Sequence, residues 1–269
     1  MHGEGAMMRH PTALIHPTAL IHPGAKLADD VTVGAYSIIG EHVEIDAGTT
    51  VASHVVINGH TRIGKHNKIF QFNSLGEVPQ DKKYAGEPTR LEIGDHNVIR
   101  EFCTFNLGTS QDVGVTRIGH HNWIMAYVHI AHDCQIGSHT IFANNAQLAG
   151  HVCIEDYVIL GGFTGVHQFC KIGAHVITGI NTVLLQDVPP YVLVSGHPSA
   201  PHGINSEGLK RRGFSGDAIM TIKRAYKTLY KSELTLEQAK KEILGQVAEH
   251  PELTILADFL SKADRGIVR

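Results

Sequence analysis

The segment 118–136 reads IGHHNWIMAYVHIAHDCQI, and isoleucine returns in it at every sixth position. The same six-residue period holds from Ile15 to Leu75, from Ile93 to Phe105 and from Ile118 to Ile172, with Ile, Leu, Val or Phe first in each hexad. A period of six fits neither an α-helix nor an alternating strand, whereas a long repeat of this length is typical of a parallel β-helix. We predict that each hexad forms a short strand and a turn, and that three hexads close one triangular coil.

Turn-forming residues accompany the repeat. Positive φ angles are expected at its corners, at Asn58-Gly59, Asn67, Asn73, Asn122 and Asn144-Asn145. A β-sandwich with chance periodicity is disfavoured, because the hexads keep phase within each run. A non-catalytic β-helix remains open on fold grounds, since a fold does not fix a function.

Two interruptions and a change of pattern divide the chain. Residues 77–90 (EVPQDKKYAGEPTR) and 108–117 (GTSQDVGVTR) are polar inserts that leave the coil, and such loops are where function concentrates. The β-helix is expected over 9–191, after an expression-vector remnant or alternative start at 1–8. Val188-Pro-Pro-Tyr191 is expected to end the repeat, because consecutive prolines cannot continue a ladder.

Residues 192–269 are expected to form a helical domain. Ser215 can cap a helix that runs to about Tyr230. Thr235-Leu-Glu-Gln238 is a capping box for a second helix, to about Glu249, and Pro251 opens a third, through Phe259. These helices are expected to cover the open end of the coils.

Composition excludes several classes of protein. The 269 residues include 23 Lys and Arg against 26 Asp and Glu, a net charge of −3, which argues against nucleic-acid binding. No apolar run approaches membrane-spanning length, so a cytoplasmic location without membrane insertion is expected. Four cysteines without a C-x-x-C motif are expected to fill space in a reducing compartment.

One stretch combines the repeat with reactive groups: His129-Ile-Ala-His132-Asp133-Cys134. With eighteen residues per coil, Gly150 and Gln168 follow His132 on one wall of successive coils. A possible base, a backbone amide without a side chain and an amide side chain would line that wall. The chain has 20 histidines, so one histidine alone is a weak signal.

Further motifs resemble one enzyme family. They are the His129–Cys134 stretch, Leu148-Ala-Gly-His151, Val166-His-Gln-Phe169, Gln80-Asp-Lys-Lys-Tyr-Ala-Gly-Glu-Pro-Thr89, Gln186-Asp-Val-Pro-Pro-Tyr191 and Asn205-Ser-Glu-Gly-Leu-Lys-Arg-Arg-Gly-Phe214. In this order they are similar to those of the acyl-(acyl-carrier-protein)–UDP-N-acetylglucosamine O-acyltransferases, which open lipid A biosynthesis in Gram-negative bacteria. The resemblance begins at about residue 9 and implies a left-handed parallel β-helix.

The resemblance implies transfer of a 3-hydroxyacyl group from an acyl-carrier-protein thioester to the 3-hydroxyl of UDP-N-acetylglucosamine, without cofactor or metal. His132 matches the general base, which must take the alcohol's proton. The Gly150 N–H matches the donor to the oxyanion. Asp133 is a candidate to orient the imidazole.

The resemblance also implies substrate-binding residues and partners. Asp81 matches a sugar contact with Lys83 beside it, and the pocket is lined by His129, His151 and Gln168. Asn205, Glu207 and Arg211 match the uridine and phosphate end, where Arg geometry suits phosphate. The family implies a homotrimer with clefts between subunits, and an acidic carrier protein could meet the basic residues Lys210, Arg211, Arg212, Lys223, Arg224, Lys227 and Lys231.

Two positions depart from the family pattern. Asn106 stands where relatives usually have His, and Ile180 where relatives that take long acyl chains have Gly. Ile180 is therefore expected to be the acyl-chain ruler.

Other functions stay open. They include a CoA-dependent acetyltransferase, the downstream N-acyltransferase of the same pathway, and a zinc γ-carbonic anhydrase, which needs three converging histidines.

Overall fold

The computed structural model describes residues 14–263 and 266–269. The start expected at residues 1–8 lies outside the described residues. The fold divides into two compact units, residues 1–133 and 134–269, and each is considered by itself.

The first unit consists of short parallel strands. They are β1 Leu14–Ile15, β2 Leu20–Ile21, β3 Lys26–Leu27, β4 Thr32–Val33, β5 Ile38–Ile39, β6 Glu44–Ile45, β7 Thr50–Val51, β8 Val56–Ile57, β9 His60–Ile63, β10 Lys68–Ile69, β11 Ser74–Glu77, β12 Arg90–Ile93, β13 Val98–Ile99, β14 Thr104–Asn106, β15 Val115–Ile118, β16 Trp123–Ile124 and β17 His129–Ile130. Within this unit they stack as three sheets, in the orders β1-β4-β7-β10-β13-β16, β2-β5-β8-β11-β14-β17 and β3-β6-β9-β12-β15.

The register of the sheets confirms a coil of eighteen residues. Thr32 pairs with Thr50, and Thr50 pairs with Lys68. Lys68 then pairs with Val98, thirty residues on, and Val98 with Trp123, twenty-five residues on. Each insert therefore lengthens a single coil, and the next coil resumes the original alignment.

The first residue of each hexad builds the core. Ile39, Ile57, Ile63 and Ile99 are at most 1% exposed. Truncating a residue of this kind to Ala costs about 2–5 kcal/mol, because the lost apolar burial adds to the cavity left behind.

The corners of the coils carry the backbone strain. Positive φ was expected correctly at Gly59 (60°) and Asn145 (62°). The expectation was wrong for Asn67, Asn73 and Asn122, where the preceding His66, Phe72 and His121 have φ of 56°, 63° and 57°.

Those asparagines instead face inward and link successive coils. Asn67 Oδ1 accepts the Asn97 N–H at 2.9 Å, and Asn97 Oδ1 accepts the Asn122 N–H at 2.9 Å. Asn67 Nδ2 donates to the carbonyls of Gly64 and Gly94 at 2.8 and 2.9 Å. The buried amides therefore satisfy backbone groups that the bend removes from the sheet.

The second unit also contains short parallel strands, followed by helices. Its strands are β18 Gln135–Ile136, β19 Ile141–Phe142, β20 Gln147–Leu148, β21 Cys153–Ile154, β22 Ile159–Leu160, β23 Gly165–Val166, β24 Lys171–Ile172, β25 Ile177–Thr178, β26 Val183–Leu184, β27 Val192–Ser195 and β28 Ala200–Ile204. Within this unit the orders are β19-β22-β25-β27-β28, β20-β23-β26 and β18-β21-β24.

The sheet continues beyond Tyr191. β27 pairs in parallel with β25, and β28 pairs antiparallel with β27. Ile267 forms a parallel bridge with Asp187. The segments after the prolines therefore cover strand edges that would otherwise expose unpaired backbone groups.

The helices are α1 Ser206–Arg211, α2 Gly216–Tyr230, α3 Leu236–Gln246 and α4 Thr254–Ser261, with a 3₁₀ turn at Pro251–Leu253 before α4. The Ser215 cap and the Thr235–Gln238 capping box are confirmed. The second predicted helix ends before Glu249, and α1 was not predicted from the sequence. Leu209, Ile222, Ala239 and Leu260 contribute to one apolar cluster with Tyr191.

A stack of rings connects the coil corners with the helical segment of this unit. His175 lies between Tyr157 and Tyr191, with ring centroids 4.9 and 5.6 Å away. The edge of Phe214 meets His175 at 5.2 Å, and Arg212 lies over Tyr157 at 5.1 Å. Burial first, and then the charge of Arg212, lower the pKa of His175 to about 4, while Asp156 acts weakly the other way.

This stack predicts that acid destabilises the second unit. The pKa of His175 is near 6.5 in the unfolded chain and about 4 in the folded protein. The unfolded chain therefore takes up the proton first as the pH falls, so the contribution of His175 to stability is complete above pH 6.5 and is lost between about pH 6.5 and 4. The loss amounts to up to about 3 kcal/mol. We expect His175→Phe to flatten the pH dependence of the melting temperature between pH 7.5 and 4.5. Phe is a suitable control residue because Phe163 and Phe169 occupy corners with the same positive φ. An equal acid loss in both proteins would contradict the assignment to His175.

Candidate active site

The predicted base and its neighbour form a hydrogen-bonded pair. His132 follows β17, and His132 Nδ1 lies 2.9 Å from Asp133 Oδ2. The side chains are 10% and 0% exposed. A carboxylate only accepts hydrogen bonds, so it selects the tautomer with the proton on Nδ1. In that tautomer Nε2 carries no proton and can act as a base, and the orienting role considered for Asp133 has a matching geometry.

The Asp133 carboxylate is held by the second insert. The Thr109 N–H donates to Oδ1 and Oδ2 at 2.9 and 3.0 Å, and Thr109 Oγ1 donates to Oδ2 at 2.6 Å. The Asp133 N–H in turn donates to Thr116 Oγ1 at 2.8 Å. Asp133 has a φ of 61°, which short polar residues tolerate. No local motif indicates Thr109, because only the return of the insert to the coil brings it to Asp133.

His129 is the second histidine of this wall. Its Nδ1 lies 2.7 Å from Thr104 Oγ1. Burial is the largest cause that lowers the pKa of His129; a hydrogen bond with the Thr104 backbone opposes it, and the charge of His132 lowers the pKa further. His129 is therefore a neutral imidazole near pH 7, able to bind a hydroxyl without adding charge.

Asn106 forms hydrogen bonds with the backbone at the start of the first insert. Its Nδ2 donates to the Val78 carbonyl at 3.0 Å and to the Glu77 carbonyl at 3.4 Å. Within the residues that the structure describes, Asn106 Oδ1 is buried without a hydrogen-bond partner. The residue that replaces the usual His therefore holds backbone that leads into the loop carrying Asp81.

Asp81 itself shapes that loop. Asp81 Oδ1 accepts the Lys83 N–H at 2.9 Å, and the Asp81 carbonyl accepts the Tyr84 N–H at 3.1 Å. Asp81 is half-buried and Lys83 exposed. Both charges face solvent in part, as a sugar-binding role requires.

In the second unit, Gly150 and His151 form the turn after β20. Gly150 is buried, and its carbonyl accepts the Phe169 N–H at 3.1 Å. His151 has a φ of 62° and stacks on Phe169 at 4.4 Å. Gln168 is half-buried beside Phe169, and its carbonyl lies 3.1 Å from His167 Nδ1. This unit therefore brings Gly150, His151 and Gln168 to the same corner of adjoining coils.

The predicted nucleotide-binding residues cluster at α1. Asn205 is buried and caps the helix, because Oδ1 accepts the Gly208 N–H at 3.0 Å while Nδ2 donates to the His175 carbonyl at 3.0 Å. Glu207 pairs with Lys210 at 2.8 Å, and Arg211 is exposed. Asn205 thus uses both ends of its amide to fix the helix that carries the other two.

Ile180 lies on an open surface of its unit. It is 74% exposed, the highest value among the large apolar side chains whose exposure the structure describes. It therefore does not pack into the core of its own coil.

Comparison with known proteins identifies the family. Residues 12–47 and 116–150 match the bacterial transferase hexapeptide model, and 187–268 match the model for domain 2 of UDP N-acetylglucosamine O-acyltransferase. An acyl-(acyl-carrier-protein)–UDP-N-acetylglucosamine O-acyltransferase of Thiobacillus denitrificans is 68% identical over 260 residues, 97% of this chain and 98% of that protein. The chain belongs to this O-acyltransferase family.

Solved structures agree with this assignment. LpxA from Acinetobacter baumannii has 52% identity and a TM-score of 0.93, covering 95% of this chain and 100% of that one. The UDP-N-acetylglucosamine O-acyltransferase of Moraxella catarrhalis has 47% identity and the same TM-score and coverage. The expected fold class is confirmed: mainly β, a left-handed parallel β-helix with a C-terminal helical part. Among the helices that the structure describes, none is long and apolar enough to cross a membrane.

Proposed function

We propose that this O-acyltransferase moves a 3-hydroxyacyl group from an acyl-carrier-protein thioester to the 3-hydroxyl of UDP-N-acetylglucosamine, the first step of lipid A biosynthesis. The hydrogen-bonded pair of His132 and Asp133 carries the proposal. An alcohol is a weak nucleophile at neutral pH, and an oriented neutral imidazole can take its proton during attack.

His132 Nε2 accepts the hydroxyl proton while the sugar oxygen bonds to the thioester carbon. The carbonyl oxygen becomes an oxyanion, to which the Gly150 N–H donates. When the C–S bond breaks, the imidazolium returns the proton to the departing thiolate. Asp133 stabilises the imidazolium between these events.

The remaining predicted residues bind the acceptor substrate, UDP-N-acetylglucosamine. Asp81 and Lys83 bind the sugar from the first insert, and His129, His151 and Gln168 line the pocket. Glu207 and Arg211 bind the uridine and phosphate end, while Asn205 acts by fixing α1. The reaction uses no cofactor, and we place it in the cytoplasm.

The acyl carrier protein is the donor partner. Lys223, Arg224, Lys227 and Lys231 are exposed on or beside α2 and offer a positive surface to an acidic carrier. Arg212 has another task, because its Nη2 donates to the Tyr157 carbonyl at 3.0 Å. We therefore assign carrier docking to α2 and not to Arg212.

The reaction is tested by thiol release from 3-hydroxyacyl carrier protein in the presence of UDP-N-acetylglucosamine. We expect His132→Ala to lower turnover by about 10²–10⁴-fold, the usual contribution of a general base. Binding of UDP-N-acetylglucosamine should be retained, as measured by calorimetry. His202→Ala is the matched control, since His202 is exposed on β28. Absence of release by the wild type would reject the reaction, and full turnover by His132→Ala would reject this base.

Acyl-chain length gives a separate prediction. The 74% exposure of Ile180 leaves its side chain free to close a groove shared with a neighbouring subunit. Overpacking against a longer tail costs about 1–3 kcal/mol, or about one to two decades in kcat/KM. We expect ten- or twelve-carbon 3-hydroxyacyl donors to be preferred over fourteen-carbon donors, and Ile180→Gly to shift the preference toward longer donors. A fourteen-carbon preference in the wild type would remove Ile180 as the ruler.

A homotrimer is the proposed assembly, with Asp81 and His132 facing the same cleft between subunits. Phe72, Phe102 and Tyr127 stack at 5.0 and 4.8 Å along one corner, and each is at least 42% exposed. Trp123 is another apolar side chain of this unit with 44% exposure, and exposed apolar surface of this kind is typical of an interface. We expect light scattering at micromolar concentration to give three times the 29.3 kDa of one chain. We expect Trp123→Glu to weaken the assembly, and a wild-type monomer would contradict the proposal.

A further inference from the structure

We propose that Thr109 is a positioning residue, which holds the Asp133 carboxylate in the rotation that orients His132. The inference rests on the proposed function, because it concerns the base of that reaction. Its geometry lies within the first unit alone. Asp133 Oδ2 accepts from His132 Nδ1 at 2.9 Å, from Thr109 Oγ1 at 2.6 Å and from the Thr109 N–H at 3.0 Å.

Thr109 Oγ1 donates to Asp133 Oδ2, the same oxygen that accepts the hydrogen bond from His132 Nδ1. Hydrogen bonds to an ionised acceptor are shorter and about twice as strong as those between neutral groups. With its backbone N–H also on Oδ1 at 2.9 Å, Thr109 binds both oxygens and opposes rotation of the carboxylate about its last torsion. The donors favour the ionised form, which His132 needs as a counter-charge.

The backbone next to Thr109 allows the insert to come close to Asp133. A Cβ on Gly108 would collide with the backbone at Val115 and lie 2.8 Å from Asp133 Oδ1. The Gly108 N–H donates to the Arg90 carbonyl at 3.1 Å, which ties the insert to β12. Thr109 is 1% exposed, so no bulk water can replace its hydroxyl.

The next residue connects the two inserts. Ser110 Oγ donates to Glu87 Oε1 at 2.9 Å, and Glu87 belongs to the insert that carries Asp81. Ser110 is exposed and does not contact Asp133 in any hydrogen bond described for it. It therefore supplies a matched control for a hydroxyl in the same segment that lacks the positioning role.

Removing the Thr109 hydroxyl should slow the chemical step without weakening acceptor binding. Thr109→Val keeps the shape and the backbone N–H, and we expect kcat to fall about ten- to a hundredfold, as for other hydrogen bonds to charged groups. The KM for UDP-N-acetylglucosamine should stay within about twofold, since this is an effect on kcat alone. Thr109→Ser should restore kcat, and Ser110→Ala should leave it unchanged.

A double-mutant cycle separates positioning from general stability. If Thr109 acts through Asp133, Thr109→Val should add little to the loss caused by Asp133→Asn. Equal losses from Thr109→Val in both backgrounds, with an equal fall in melting temperature, would reduce Thr109 to a structural residue and overturn the proposal.

A substrate-free measurement keeps this proposal distinct from the proposed reaction. The ¹⁵N NMR signals of the His132 ring, assigned by their loss in His132→Gln, report which ring nitrogen carries the proton in the neutral imidazole. Because the oriented carboxylate selects the Nδ1–H tautomer, the fraction of the Nε2–H tautomer should be larger in Thr109→Val than in the wild type. Thr109→Ser should restore the wild-type tautomer ratio. An unchanged tautomer ratio in Thr109→Val would overturn the proposal even if the wild type is active, whereas a change would support it even if the donor or acceptor were different.

Discussion

The coil depends on stacking, because its strands are too short to be stable alone. Most strands are two residues long, so each is held by the strands above and below it. Alignment in steps of eighteen places the same buried aliphatic position of each coil over the last. The bends between strands require left-handed residues, and stacked rings such as His66 and His96, 5.0 Å apart, occupy many of them. Packing between neighbouring coils thereby offsets the conformational cost of each corner.

The same constraint explains where variation is allowed. A residue added within a coil would turn the inward side chains outward, whereas a loop that leaves at a corner keeps the alignment. Lys68 still pairs with Val98 across the first insert, and Val98 with Trp123 across the second. The inserts can therefore carry reactive and binding groups, while the strands on both sides keep them at fixed positions.

The sequence predicted the features that a local pattern encodes, namely the strands and the helix starts. It did not predict the side-chain contacts between successive coils or between an insert and a coil. The aliphatic period predicted the strands, and Ser215 and Thr235 predicted two helix starts because caps are local signals. The period could not show that Asn67, Asn73 and Asn122 turn inward, since their partners lie one coil away. The resemblance of the sequence motifs to those of the O-acyltransferase family identified His132 as the candidate base. The ties from Asn106 to Val78 and from Thr109 to Asp133 depend on how each insert folds back, which no local pattern encodes.

The second insert is therefore more than a tolerated surface loop. A buried carboxylate costs several kcal/mol unless donors replace its lost water. Asp133 is 1% exposed, and in the first unit its carboxylate receives the N–H and hydroxyl of Thr109 together with His132 Nδ1. Both of the Thr109 donors come from the insert, at the point where it returns to the coil. Gly108 allows this close approach because a Cβ there would collide with the backbone at Val115, and Thr109 then supplies the hydroxyl.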